Sequence, residues 1–297
     1  NHRSNMDYML VTYLAARSSA LSYAVGEWAR VWPLSTLIRS MGAYFIRRRS
    51  RGALYRKVLA RYVQMATTGG VTQAFYPEGG LSLTGALQPP KVGLLSYVVE
   101  GFDPEGERDI IFVPVAINYD RILEDRVLIA AGERGDRRFG ARITVVVGFV
   151  LRKIWRRMRG RDTRFGTAAV TFGDPLSLRR TGKDVPVSDL SEMLMDRIAQ
   201  AMPVLTVPLI ARVMLQAKGP LSEAELLAKV AATLEQMPLR NRVPKPDVLP
   251  DRVARATARL KKRGVISEDA KGLQIAAGQE PVLAFYANSI AHFPSED

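Results

Sequence analysis

Residues 71–85 constrain the fold of this chain more than any other stretch. The apolar run Val71-Thr72-Gln73-Ala74-Phe75-Tyr76 stops at Pro77. Glu78 follows, then Gly79-Gly80-Leu81-Ser82-Leu83-Thr84-Gly85. Proline ends strand pairing, and glycine adopts conformations closed to other residues. The pattern therefore reads as a buried strand emptying into a loop whose backbone can approach a ligand closely. Short apolar runs recur at 110–117 and 167–172, the second closed by Gly173-Asp174-Pro175. Helical patterns lie around them, apolar-rich at 8–25 and amphipathic at 52–68. Short apolar strands interspersed with helices predict an α/β chain, layered, with a central mixed sheet flanked by helices.

Around 173–190 the composition shifts to Gly, Pro, Asp, Arg and Lys, which predicts a boundary between a domain at 1–182 and one at 183–297. At 297 residues the chain is long enough for two such units. Beyond the boundary the pattern is mainly helical, at 188–201, 205–217, 222–236, 250–263 and 280–292, with a short hairpin at 264–276. Ser222 and Glu225 have capping-box spacing. The chain starts at Asn1 with a motif at its very edge, so an upstream segment is expected, and no signal peptide is visible.

There is no cysteine, which excludes disulfides, thiolate nucleophiles and Cys-based zinc sites. Only His2 and His292 are present, too few for a multi-histidine metal centre. The expectation is a protein without metal or prosthetic group. The formal net charge of +14 favours an anionic partner: nucleic acid, an acidic membrane surface or a phosphorylated ligand. The nearest approach to a membrane-spanning run, residues 8–26, is broken by Arg17.

His2 and Asp7 are five residues apart, about 140° around an ideal helix, and would not face each other within one. They meet only if His2 sits in the turn before a helix and Asp7 in its first turn. Ser4 and Asp7 have capping-box spacing, and apolar residues start just after, which favours that arrangement. The carboxylate would then hold one imidazole nitrogen and leave the other as a base. By itself the spacing fits a plain helix cap with a surface histidine better. Beside the acidic, glycine-lined loop at 77–85, the pair supplies the parts of an acyl-transfer site: base, orienting carboxylate and backbone N–H groups at Gly79 and Gly80. Pro89-Pro90-Lys91 stiffens the loop's exit and adds a cation.

Two basic clusters complete the pattern. Gly42-Ala43-Tyr44-Phe45-Ile46 is a strand-like run ending in Arg47-Arg48-Arg49, whose guanidinium forks suit phosphate oxygens; a solvated charge run is the plainer reading. In 151–161, Leu151, Ile154, Trp155 and Met158 form one helical face and Arg152, Lys153, Arg156, Arg157 and Arg159 fill the others. Such a helix lies either in an anionic membrane interface or against a core with its charges outward.

Four segments in order resemble the glycerol-3-phosphate acyltransferase family, of the bacterial membrane-associated type that carries a His-x4-Asp motif. They are His2-Arg3-Ser4-Asn5-Met6-Asp7-Tyr8, Gly42-Ala43-Tyr44-Phe45-Ile46-Arg47-Arg48, Pro77-Glu78-Gly79-Gly80 through Lys91 and on to Gly93-Leu94-Leu95-Ser96, and Val113-Pro114-Val115-Ala116-Ile117-Asn118-Tyr119. The stretch Phe285–His292 is similar to the family's C-terminal region. The resemblance implies transfer of a fatty acyl group from acyl-CoA or acyl-carrier protein to a hydroxyl of glycerol 3-phosphate, the first step of phospholipid synthesis, by a protein peripheral to the cytoplasmic face of the membrane. It implies His2 as base and Asp7 as its partner. Arg47, Arg48, Glu78 and Gly79 would bind the acceptor, with Gly80, Ser82 and Lys91 in the same set, and Pro114 would shape the site.

Where the family often carries arginine and a further basic residue, this chain has Leu81 and Leu83. Phosphate binding would then fall on Arg47, Arg48 or Lys91, and acylation of lysophosphatidate stands as the alternative activity. Asn5 replaces a common ring side chain. A reading of another class comes from 222–276: two helices and a hairpin, with Arg259, Lys261, Lys262 and Arg263 before the hairpin, outline a winged helix that binds nucleic acid. The basic residues gather at a helix end rather than along a face, so the segment is read as a packing unit.

Overall fold

The computed structural model describes residues 1–16, 21–26, 34–40, 42–46, 52–135, 166–182 and 184–294. Arg47, Arg48 and the basic helix expected at 151–161 lie outside the described residues.

The chain opens with α1 (Asp7–Ala15), β1 (Ser22–Gly26), α2 (Leu34–Ser40), β2 (Tyr44–Ile46), α3 (Ala53–Thr68) and β3 (Gln73–Ala74). The strands form a parallel sheet in the order β2-β1-β3. Side chains alternate across a strand, and the register sorts them here. Leu21, Tyr23, Val25, Ala43, Phe45 and Ala74 share one face with Tyr8 of α1. On the other face, Tyr62 of α3 packs on Tyr44 with ring centroids 5.0 Å apart, and Gln73 Nε2 donates to Thr67 Oγ1 at 2.7 Å. Helices α1 and α3 thus cover opposite faces, as a parallel sheet requires.

The expected helix at 8–25 was too long. It ends at Ala15, and Ser22–Gly26 is the sheet's middle strand. Apolar content alone does not separate a buried strand from a helix, and Tyr23 and Val25 suit a pleated surface.

Next come α4 (Gly93–Glu100), β4 (Ile111–Phe112), β5 (Val115–Tyr119) and α5 (Asp125–Glu133). The run expected as one strand over 110–117 is two, broken at the buried Pro114, which cannot donate to a ladder. β6 (Ala168–Phe172) pairs antiparallel with β5, from Val115↔Phe172 to Tyr119↔Ala168. β7 (Leu176–Ser177) pairs antiparallel with β4 and leads into the single turn α6 (Leu178–Thr181). The chain is α/β as expected, and the described strands lie in small sheets.

The C-terminal part is α7 (Val187–Gln200), α8 (Thr206–Gln216), α9 (Glu223–Gln236), α10 (Leu249–Lys262), the hairpin β8 (Ile266–Asp269) and β9 (Gly272–Ile275), and α11 (Glu280–Ala287). The helix expected to run to 292 gives way after Ala287 to a 3-10 turn, Asn288–Ile290. The capping box is present: Ser222 Oγ accepts from Glu225 N–H, and the Glu225 carboxylate accepts from Ser222 N–H at 2.8 Å. α8 is buried on all sides from Thr206 to Met214. Its one charge, Arg212, donates to the carbonyls of Ile290 (2.7 Å), Phe293 (3.2 Å) and Pro294 (3.3 Å), which satisfies a buried guanidinium.

The expected boundary at 182/183 falls between α6 and α7, yet one cluster of buried side chains runs across it. Val11, Ile117, Tyr119 and Leu128 belong to the same core as Ile210, Leu226, Leu283 and Tyr286. Polar contacts fix the same seam. Asp120 accepts from Val207 N–H at 2.9 Å, anchoring the start of α8, and Asn118 Nδ2 donates to Pro203 O at 2.9 Å. The helices and hairpin of the winged-helix outline are present as α9, α10, β8 and β9, but two of its four cations are engaged within the chain: Lys261 with Glu268 at 2.6 Å, and Arg263 with Asp125.

Candidate active site

The turn before α1 is built around the Asp7 carboxylate, which is fully buried. Its Oδ2 accepts from Arg3 N–H at 2.7 Å, Ser4 N–H at 3.0 Å and His2 Nδ1 at 2.8 Å; its Oδ1 accepts from Tyr119 O–H at 2.6 Å. Both backbone donors come from the turn before α1 and hold the carboxylate in place. A carboxylate only accepts, so the proton of the His2 ring resides on Nδ1, and Nε2 carries the free lone pair. His2 sits before the helix and Asp7 in its first turn, as the spacing predicts. The capping box itself is half formed. Asp7 accepts from Ser4 N–H, but Ser4 Oγ accepts from Met6 N–H at 3.2 Å and donates to Glu124 at 3.0 Å.

Aromatic rings hold the imidazole. Tyr76 stacks on it at 4.0 Å and 19°, and Tyr8 meets it edge-on at 5.4 Å. Glu124 Oε1 accepts from Asn5 N–H at 2.7 Å, closing the turn from the other side. Asn1 is also fixed: its side chain donates to Ile117 O at 3.0 Å and accepts from Ile117 N–H at 2.8 Å, pairing with β5 like a strand residue.

The loop after β3 lies against this turn. Ser82 N–H donates to His2 O at 3.0 Å, and its hydroxyl donates to Ala86 O at 2.7 Å, so Ser82 shapes the loop and positions the His2 backbone. Glu78 is only 3% exposed, and neither carboxylate oxygen has a hydrogen-bond partner within the chain. Burial pushes its carboxyl up to about 7, with the charge of Arg3 among the influences that pull the other way. Lys91 N–H donates to Pro77 O at 2.8 Å, and its side chain crosses Gly79 so closely that a β-carbon there would lie 2.7 Å from Lys91 Cδ. The lysine tail could move aside for a β-carbon, but Gly79 has φ +66°, a left-handed conformation that favours glycine. One expectation is corrected: Gly79 N–H is not aimed at an oxyanion, because it donates to Tyr76 O at 2.9 Å and closes the turn.

Arg3 is buried beneath the loop. Its Nη1 donates to Gly85 O, its Nε and Nη2 have no partner within the chain, and its guanidinium lies 5.5 Å from the Phe285 ring. Burial lowers its pKa. Gly85 has φ +82° and lies so near Phe285 that a β-carbon would be 1.8 Å from that carbonyl oxygen. The C-terminal helix α11 is therefore pressed directly against the site. Leu81 and Leu83 pack onto the main core, which is why leucine is at home where a phosphate-binding residue was sought. Pro114, in the break between β4 and β5, accepts from Gly173 N–H at 2.8 Å.

The structure thus gathers His2, Asp7, Glu78, Gly79, Gly80, Ser82 and Lys91 around one turn and one loop. Pro114 stands at the head of the strand behind them. β2 and β3 run parallel on either side of β1, so the chain leaves both at the same end of the sheet; Arg47 follows Ile46 in sequence. Sequence reasoning missed Tyr119, Tyr76, Glu124 and Arg3 as supports of the His–Asp pair. A signal existed for Tyr119 alone: alternation along β5 puts Ile117 and Tyr119 on one face and Asn118 on the other. Among the described residues no three of His, Asp and Glu converge as a metal-binding group.

Two family models match the chain. Residues 1–118 match the Acyltransferase family, and residues 151–294 match the Glycerol-3-phosphate acyltransferase C-terminal region. Curated relatives match across nearly the whole chain. A glycerol-3-phosphate acyltransferase of Aeromonas hydrophila is 30% identical over 322 residues, covering 98% of this chain and 38% of the relative. One of Alteromonas mediterranea is 28% identical over 321 residues, with 98% and 38% covered. One of Xylella fastidiosa is 26% identical over 325 residues, with 98% and 36% covered. The chain spans well under half the length of these relatives.

Proposed function

Because the chain belongs to the glycerol-3-phosphate acyltransferase family, we propose that it transfers a fatty acyl group from a thioester to a hydroxyl of glycerol 3-phosphate. The observation that carries this reading is His2 Nδ1 at 2.8 Å from the buried Asp7 carboxylate, with Nε2 left as base. In the reaction His2 Nε2 takes the acceptor's hydroxyl proton as that oxygen attacks the thioester carbonyl. The tetrahedral intermediate collapses with loss of the thiolate, which receives the proton from His2. The thioester is already activated, so no acyl-enzyme forms.

Glu78 suits the acceptor's hydroxyls: its two oxygens are buried acceptors awaiting donors. Arg47, Arg48 and Lys91 supply the phosphate's counter-charge, and that remote binding energy orients the hydroxyl. Gly79, Gly80 and Ser82 shape the loop the acceptor enters, and Pro114 sets the strand behind it. The donor is acyl-CoA or acyl-carrier protein, with no metal or prosthetic group, and the reaction is the first acylation of phospholipid synthesis. Residues 1–182, layered about a central mixed sheet, form the acyltransferase unit, and 183–297 form its helical C-terminal unit. Among the described residues no helix is long and apolar enough to cross a membrane, and the proposed site of action is peripheral, at the cytoplasmic face.

The test offers purified protein labelled acyl-CoA with glycerol 3-phosphate and, in parallel, lysophosphatidate. Labelled lysophosphatidate that disappears in His2→Ala is the expected result. Acylation of lysophosphatidate alone transfers the reading to that acceptor, and His2-independent turnover of both rejects the mechanism.

A further inference from the structure

We propose that the outer face of α3 is a membrane-contact surface that seats the protein on anionic lipid beside the site. Leu54, Val58 and Met65 are 77%, 59% and 60% exposed, and Tyr62, whose ring also packs on Tyr44 of β2, borders them at 47%. At about 100° per residue these four fall within roughly 80° of one another, opposite the buried Val63. The stripe is about 16 Å long from Leu54 to Met65, at 1.5 Å per residue. A solvated helix face carries polar side chains; this one carries apolar ones, while the opposite face packs on the sheet and on α4.

The charge pattern identifies the occupant. α3 contains Arg56, Lys57 and Arg61 and no Asp or Glu. Lys57 and Arg61 lie along one edge of the stripe, where basic groups meet headgroup phosphates while the apolar residues enter the acyl boundary. A second protein copy or a further segment of polypeptide would bury the apolar stripe equally well, but would not call for cations without a single carboxylate on the helix. The contrast with α1 supports this. On the other side of the sheet α1 exposes Met9 and Tyr13 but carries no cation at all.

α3 also connects directly to the chemistry. Its C-terminus leads through β3 to Tyr76, whose ring stacks on His2. A helix resting in the interface would hold the loop at 77–85 at the height of the headgroups, where an acylated product leaves into lipid. The inference deepens the proposed peripheral membrane association and rests on it.

The absence of cysteine makes a local test clean. Val58→Cys and, as control, Arg255→Cys on α10 are each labelled with a polarity-sensitive fluorophore and mixed with vesicles of phosphatidylcholine and 30% phosphatidylglycerol. A blue shift at position 58 and none at 255 is expected. Leu54→Ser/Val58→Ser/Met65→Ser should weaken vesicle co-sedimentation about tenfold or more. Lys57→Gln/Arg61→Gln should weaken it on anionic vesicles only. No shift at position 58, equal shifts at both positions, unchanged sedimentation of the triple variant, or a change in its oligomeric state instead would overturn the proposal. Turnover of a water-soluble short-chain acyl-CoA with glycerol 3-phosphate, measured on the same samples, should be unchanged in both multiple variants. Loss of turnover in the parent chain rejects the acyl-transfer reading without touching the lipid result.

Discussion

The phenolic oxygen of Tyr119 lies 2.6 Å from Asp7 Oδ1, across 112 residues of sequence, and donates to the carboxylate whose other oxygen holds His2. Burial and the Asp7 charge raise the Tyr119 pKa, so the phenol stays a donor. Asp7 thereby does two jobs at once. It closes the turn before α1 through the backbone N–H groups of Arg3 and Ser4, and it fixes the imidazole with its free nitrogen outward.

His2→Ala should lower acyl transfer by about 10²–10⁴ with the fold intact, the usual cost of removing a general base. Asp7→Asn should cost less, because an amide oxygen still accepts from part of the turn. Tyr119→Phe should lower kcat about tenfold with little change in either KM, and destabilise by about 2 kcal/mol, the scale of a hydrogen bond to a charged group. Steady-state kinetics with urea melts separate the two readouts. Unchanged kcat in Tyr119→Phe would show that the backbone donors alone position Asp7.

Glu78 makes stability pH-dependent in a defined direction. Its ordinary value is 4.5 and burial raises it to about 7 in the folded chain. Below pH 4.5 both states hold the proton. Between 4.5 and 7 the folded state keeps a proton that the unfolded state has released, so stability falls as pH rises. Above 7 the full cost of a buried carboxylate is present, up to about 3 kcal/mol. Glu78→Gln removes the ionisation and should be more stable than the parent at pH 8, with the difference gone by pH 4. Parallel stability curves across that range would show that Glu78 is charged or solvated throughout.

The sequence made local structure legible wherever one periodicity ruled. The amphipathic α3, the capped α9 and the hairpin after Gly264 fall where their patterns place them. It failed where two tertiary outcomes share a pattern: residues 22–25 read as a continued helix because apolar content does not reveal that β2 and β3 lie ready to pair on either side. The His2–Asp7 pair and the loop at 77–85 were legible because turn chemistry is local. Tyr119, Glu124 and Arg3 were not, since each reaches the site from a distant segment or by burial. The role of Gly79 N–H was misread because a turn's internal hydrogen bond cannot be seen in composition.

Arg263→Gln should destabilise the chain by about 3 kcal/mol, because it leaves the Asp125 carboxylate buried without its cation. Asp125 Oδ2 accepts from both Arg263 and Tyr286 O–H, the latter at 2.6 Å, and the Tyr286 oxygen in turn accepts from Ile122 N–H at 3.0 Å. Tyr286→Phe breaks the same network and should cost somewhat less. In a double-mutant cycle the two should be strongly non-additive. Additive losses would mean that the two partners act on Asp125 independently.

Residues 1–182 expressed alone should not fold cooperatively, although composition places a boundary there. The strand that carries Tyr119 is buried on both faces, and its Asn118 side is covered by Pro203 and Ser289. Removing 183–297 would strip α8 and α11 from the shared core, expose Ile117 and Leu128, and leave Asp120 without the Val207 N–H. Phe285 would no longer cover Arg3 and Gly85 beside the site. The expected result is a fragment that binds a hydrophobic dye, melts without a sharp transition and lacks activity, with co-expressed 183–297 restoring all three properties. A cooperative melt of 1–182 by itself, with retained secondary structure, would show that the α/β part carries its own sufficient core.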